Sequence, residues 1–150
     1  AAGDITGFSM LAHTAIREGE VAINHIVGGS DDRMRYDSVP AVVYMHPEIA
    51  GVGATEEKLR AEGRYYRVLK LPMAYAGRYV VENEQTSGLC KVLVDENDTI
   101  LGCHILGNPA SELILLAGIA VTDRSSIEDF RRHIFPHPTA GEILHEVLFS

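Results

Sequence analysis

Residues 133–142, HIFPHPTAGE, bring two histidines, two prolines and one carboxylate into a short segment near the end of the chain. His133 and His137 have the i, i+4 spacing with which a helix presents two imidazoles to one zinc ion. Pro136 opposes that use, because proline removes a backbone donor and clashes with the preceding turn. No third ligand is close in sequence, and Cys90 and Cys103 have no finger-like spacing, so no metal is expected. The remaining chemistry is that of one positioned base. Pro138 restricts the backbone beside His137, and Thr139 is placed to cap a following helix. Glu142 has two possible duties: capping the Thr139 amide, or binding one imidazole nitrogen of His137 and so fixing its tautomer. Spacing alone favours the cap.

A second group is GDITGFSMLAH at residues 3–13, a glycine turn bearing Asp4 and feeding a helix start. Such a turn can hold a ribose or ribityl hydroxyl and a carbonyl oxygen, although most only cap helices. His46 in YMHPEIAGVG is expected to close a strand end through its ring hydrogen bonds rather than to catalyse. Tyr75, Arg78 and Tyr79 fall in an apparently irregular stretch, where spacing does not decide between ligand and partner.

The elements that must position these residues follow from periodicity. Leu11, Ala15, Ala22 and Ile26 lie near one stripe, which predicts a helix from about Met10 to Val27, stopped by Gly28-Gly29. SDDRMRYDSVP is polar and ends in proline, as a linker does, so a second unit is expected to start near Ser38. AVVYMH, GVGA and YYRVLKL read as strands, with a helix between the last two that is capped by Thr55 and stopped by Gly63. GLCKVLVDENDTILGCHI reads as a hairpin. Pairing Val94 with Thr99 would set Cys90 opposite Cys103, yet two small buried thiols are the favoured outcome over a disulfide. Asn108 and Pro109 open an apolar helix to about Val121, expected to be buried or to lie against a partner. Ser125 with Glu128, and Thr139 with Glu142, have capping-box spacing.

With 150 residues and 46% apolar content, the chain is long enough for a full domain with a fragment of another. A formal net charge of −8 opposes phosphate-backbone binding, so nucleic acid is not an expected partner. No apolar run is long enough to span a bilayer, so the chain reads as soluble, with no membrane partner. Ala1 follows no signal pattern, and the N-terminus reads as cut from something larger.

Taken together and in this order, GDITGFSMLAH, MHPEIAGVGATEEKL, ILGCHILG and HPTAGEILHE resemble the C-terminal third of the dihydrolipoamide dehydrogenases, among the flavin disulfide reductases. The resemblance covers essentially the whole chain. It implies that residues 1–37 are the helical tail of an FAD-binding domain and that residues 38–150 are an interface, or dimerisation, domain. The implied fold is α+β, a mostly antiparallel sheet with helices packed on it. MLAH and HPE tilt the resemblance toward lipoamide over glutathione or mercuric reductases.

Carried onto this sequence, the resemblance implies that Asp4 binds the ribityl chain of FAD. Met10, Leu11, Ala12 and His13 would approach the flavin where the positive end of their helix faces it. His137 would take a proton from dihydrolipoamide, with Glu142 orienting it and strengthening it as a base, which reverses the preference drawn from spacing. In the family this histidine reaches the other subunit's active site, so a homodimer is implied, with the Pro109–Val121 helix at the contact. NAD as electron acceptor, a dihydrolipoyl group of a 2-oxo acid dehydrogenase or glycine cleavage complex as partner, and a cytoplasmic location complete the expectation. Departures occur at Phe135, where another histidine is usual, at Pro136, and around MAYAGRYVVENEQ, where Tyr79 replaces a small residue. The sequence has no GxGxxG and no CxxxxC, so these residues alone are expected to be inactive, leaving a bare dimerisation module as the competing expectation.

Overall fold

The computed structural model describes residues 1–28, 31–84 and 87–150; Gly29, Ser30 and Gln85, named in the expectations above, lie outside the described residues. Two compact units, Ala1–Val39 and Pro40–Ser150, make up the chain.

In the first unit, Gly3 (φ 84°) and Gly7 (φ 73°) bracket a 3-10 turn at Asp4–Thr6, conformations that only glycine adopts without cost. Helix α1 then spans Ala12–Ile26. It begins two residues later than expected because Leu11 is extended (φ −128°, ψ 135°) and serves as the N-cap. Leu11, Ala15 and Ala22 of the expected stripe are half-buried beside buried Thr14 and Glu18, while Ile26 at its end is exposed, as are Ile16 and Ile23 on the other faces.

The second unit is built on five strands, β1 (Ala41–Val43), β2 (Ile49–Gly53), β3 (Arg67–Pro72), β4 (Leu89–Val94) and β5 (Ile100–Leu106). Their order is β1-β2-β5-β4-β3, and every pairing is antiparallel. Alternate residues, among them Val52, Leu69, Cys90, Val92, Cys103 and Ile105, point to one buried face. Helix α4 (Ala110–Thr122) covers β2 and β5 on that side through Ala110, Ile114 and Ala117. At the other end of the sheet, the turn Val147–Phe149 packs on β3 and β4. The fold is thus α+β, with helices on an antiparallel sheet.

The β4–β5 register corrects the cysteine expectation. A bulge between Leu93 and Val94 pairs Val94 with Ile100, Val92 with Cys103 and Cys90 with Ile105. The two cysteines are therefore diagonal neighbours on one face, both buried and both free thiols. Hydrogen bonding to Cys103 and burial push the Cys90 thiol up, away from its reactive anionic form.

Helix ends hold further differences. Thr55 caps α2 (Glu56–Ala61) by accepting from the Lys58 amide at 3.2 Å, and Gly63 (φ 64°) follows its end. Pro109 is the N-cap of α4, not its first helical residue, and Asn108 turns away to accept from the Glu48 amide at 3.2 Å. Glu48, from the β1–β2 loop, caps α4 instead by accepting from the Ser111 amide at 2.9 Å. Helix α5 (Ile127–Arg131) uses Ser126 and Asp129 as its capping box, one residue beyond the expected pair. The Ser125 carbonyl is already engaged by the Ile100 amide at 2.9 Å, so the chain there still belongs to the sheet edge. The expected irregular stretch after β3 contains a 3-10 turn at Met73–Tyr75 and helix α3 (Gly77–Glu82). Tyr79 is a core residue there, with its hydroxyl donating to the Ser87 carbonyl at 3.2 Å, while Arg78 pairs with Glu82 and Tyr75 is exposed.

Candidate active-site arm and flavin-facing turn

Residues 132–138 form an exposed arm with one partly buried anchor, Phe135. Its ring packs between Phe130 (5.7 Å) and His145 (5.3 Å), joining the arm to the core. At the far end, Ala140–Glu142 forms a 3-10 turn that runs into α6 (Ile143–Glu146), where Ile143 and Leu144 are buried. The arm is thus held at its base on both sides. His137 stands at its tip with 82% of its side chain exposed.

Glu142 performs both duties that spacing offered as alternatives. Its Oε1 lies 2.7 Å from His137 Nδ1, and its Oε2 accepts from the Thr139 amide at 2.8 Å. The Thr139 hydroxyl donates to the Pro136 carbonyl at 2.8 Å, closing the turn that carries His137. The Thr139 amide foremost, then His137, hold the Glu142 carboxyl below its ordinary range, so it is an anion at neutral pH. A carboxylate is only an acceptor, so it places a proton on Nδ1 and leaves Nε2 available as a base.

His133 lies outside this constellation, with Nδ1 3.2 Å from the Phe130 carbonyl. Among the described residues, no group of three or more His, Cys, Asp or Glu side chains is placed to hold a metal ion. His46 is exposed, and Glu48 and Asn108 supply the hydrogen bonds named above for its turn.

In the first unit, Asp4 is exposed within its glycine-bracketed turn. Met10 is exposed, Leu11 is the half-buried N-cap, and Ala12 and His13 open α1. The N-terminus of this 15-residue helix has no side-chain cap and no acidic residue in its first turn. An end of this kind carries partial positive charge that suits an anionic or carbonyl acceptor. Exposed Phe8 and Met10 add an apolar border. A carboxylate for hydroxyls, a bare helix end for a carbonyl oxygen and apolar side chains for a planar ring form a donor set that fits FAD.

Glu18 gave no signal in the sequence, because a glutamate in a charged helix reads as part of a solvated face. It is 5% exposed and accepts from the Gly3 amide at 2.5 Å, from Thr6 Oγ1 at 3.2 Å and from the Tyr36 hydroxyl at 2.7 Å. Tyr36 also stacks on Phe8, with ring centroids 4.9 Å apart.

Residues 39–148 match the family model described as pyridine nucleotide-disulphide oxidoreductase, dimerisation domain. Similar curated proteins include dihydrolipoyl dehydrogenase 1, mitochondrial, of Arabidopsis thaliana, 45% identical across 100% of this chain and 29% of its own length. Dihydrolipoyl dehydrogenase 3 of Pseudomonas putida is 41% identical over 99% of this chain and 32% of its own. Among solved structures, LpdA from Mycobacterium tuberculosis superposes with a TM-score of 0.92 at 28% identity, over 99% of this chain and 32% of that one. The HOCl-induced flavoprotein disulfide reductase RclA from Escherichia coli gives 0.86 at 28% identity, over 99% and 34%. The chain thus spans about a third of the length of each of these relatives. From its sheet, its register of helices and these likenesses, the chain belongs to the pyridine nucleotide-disulphide oxidoreductase family, whose dimerisation domain it carries.

Proposed function

We propose that these residues serve a dihydrolipoamide dehydrogenase, supplying its subunit interface, part of its flavin site and the base that deprotonates the dithiol substrate. The observation that carries this reading is the exposed His137 held through Nδ1 by Glu142. FAD, when bound, would supply the acceptor for the electron pair that leaves the dithiol through a redox disulfide, with NAD as the final acceptor. Asp4 would hold the ribityl hydroxyls, and the start of α1 would face a carbonyl oxygen of the ring.

His137 acts on the thiol. The S–H bond breaks, its electron pair stays on sulfur as thiolate, and the proton moves to Nε2. Glu142 keeps Nδ1–H pointed inward throughout and stabilises the imidazolium that forms. Among the described residues the His137 side chain is left 82% exposed, which suits work on a substrate held by another subunit.

A homodimer also suits the surface of α4. Leu115, Leu116 and Ile119 are exposed on it, and the last two border a groove of about 380 Å³ that runs to Phe130, Phe135 and Pro136. Ile134, 97% exposed, projects from the groove's rim. Contiguous apolar surface of this kind marks an interface.

In the full-length enzyme, His137→Ala should lower turnover of dihydrolipoamide by about 10² to 10⁴ fold, the usual contribution of a general base. Near-normal turnover at neutral pH would refute the assignment, and activity on glutathione disulfide instead would move the protein to another branch of the family.

A further inference from the structure

We infer that Glu18 is a positioning residue for the flavin-facing turn: its buried carboxylate ties the Asp4 turn, helix α1 and the Tyr36 segment together, so that the unit holds FAD only while this hub is intact. The inference rests on the reading of Asp4 and α1 as the flavin contact, and adds a residue that touches no ligand.

The hub joins three parts of the first unit. Glu18 lies on the second turn of α1, and its Oε2 accepts from the Gly3 amide, the residue immediately before Asp4. Its Oε1 accepts from Thr6, at the end of the same 3-10 turn, and from Tyr36, within the polar segment that follows α1. The turn carrying Asp4 is therefore gripped on both sides by one side chain. Buried carboxylates are costly unless fully paired, and here three donors converge on two oxygens, with the Tyr36 hydroxyl the largest influence holding the carboxyl below its ordinary range.

Tyr36 extends the grip by stacking on Phe8, which lies between Gly7 and the helix start. Thr14, the other buried polar residue of α1, shares a hydrogen bond with Ser9 at 2.9 Å. The segment from Gly3 to Ser9 is thus fastened to one face of α1 by polar contacts at Gly3, Thr6 and Ser9. Without Glu18, the Gly3 amide, the Thr6 hydroxyl and the Tyr36 hydroxyl lose a shared acceptor at once, and the Asp4 carboxylate loses its fixed relation to the end of α1.

The test uses the full-length flavoenzyme and its Glu18→Ala, Glu18→Gln, Tyr36→Phe and Asp4→Ala variants. FAD release is followed by the rise in flavin fluorescence, and the bound flavin by visible circular dichroism. Glu18→Ala should speed release about 10-fold or more, the effect expected from losing at least one charge-assisted hydrogen bond, and should alter the flavin dichroism. Glu18→Gln should restore much of the wild-type behaviour, since its amide oxygen can take the Gly3 amide while the two hydroxyls turn to accept. Tyr36→Phe should fall between them, and it decides the matter if Glu18→Ala does not fold. Release rates and dichroism equal to wild type in Glu18→Ala, or in Tyr36→Phe when only that variant folds, would overturn the inference. Should Asp4→Ala also leave release unchanged, the flavin reading itself fails; an effect of Asp4→Ala without one of Glu18→Ala condemns the hub alone.

Discussion

Replacing Glu142 with glutamine separates two duties of one side chain, and the structure decides which duty survives. The carboxylate accepts twice, from His137 Nδ1 at 2.7 Å and from the Thr139 amide at 2.8 Å. An amide of the same shape has one acceptor oxygen and an NH2 donor. With the oxygen on His137, the NH2 would face the Thr139 N–H, two donors in contact. With the oxygen on Thr139, the NH2 faces Nδ1, which must then accept, and the ring proton moves to Nε2. The Thr139 amide is fixed in the backbone of a partly buried turn, whereas the imidazole is 82% exposed and exchanges its proton with water freely. The second arrangement therefore wins, and the nitrogen that should act as base is blocked. Turnover of Glu142→Gln should fall by about 10² to 10⁴ fold, close to removal of the base itself. Glu142→Ala, whose imidazole samples both tautomers, should fall only about 10 to 100 fold, as for loss of an orienting partner. Thermal stability should rank the other way, because glutamine still caps Thr139. Steady-state oxidation of dihydrolipoamide by the full-length variants, with melting curves beside it, makes the comparison. Glu142→Gln turning over faster than Glu142→Ala would refute the reasoning.

Two further outcomes are expected. The Glu142 carboxyl is held below its ordinary value of 4.5, so the stability it contributes is complete above that value and is lost as pH falls through the lower, folded-state value. Melting temperatures followed from neutral pH into acid should therefore drop less steeply in Glu142→Gln than in wild type. A Leu116→Asp, Ile119→Asp double variant, altered only on the exposed ridge of α4, should sediment as a monomer while keeping its secondary structure; an unchanged dimer would place the interface elsewhere.

Much of the site's chemistry was legible because it is local. Pro138, Thr139 and Glu142 lie within five residues of His137, so spacing limited Glu142 to two partners, and only the separate use of its two oxygens needed coordinates. The strands and the β4–β5 hairpin could be read from alternation. Their register could not, because a bulge at Leu93/Val94 shifts the pairing without altering the pattern of apolar residues. The Ser126 cap was displaced from Ser125 by a sheet contact that no local rule contains. Long-range polar contacts were the least visible: Glu48 caps a helix 63 residues away, and Glu18 binds Tyr36 across 18. Tyr79 was undecided for the opposite reason, since an aromatic residue beside an arginine in a stretch without clear periodicity could face a ligand or a partner, whereas Gly88 and Gly107 make room for it in the core. A Cβ at either glycine would come within 2.5 Å or 2.7 Å of its hydroxyl.

Whether His137 serves its own subunit or a neighbouring one is settled most directly with mixed dimers. One full-length subunit would carry His137→Ala, and the other an inactivating substitution in the redox disulfide that the proposed reaction requires. Each homodimer alone is expected to be nearly inactive. After dissociation and reassociation, dimers holding one of each should regain one complete site, giving about a quarter of wild-type turnover in a randomly reassorted mixture. Verified mixed dimers as inactive as their parents, or a His137→Ala homodimer with near-normal turnover, would contradict the account.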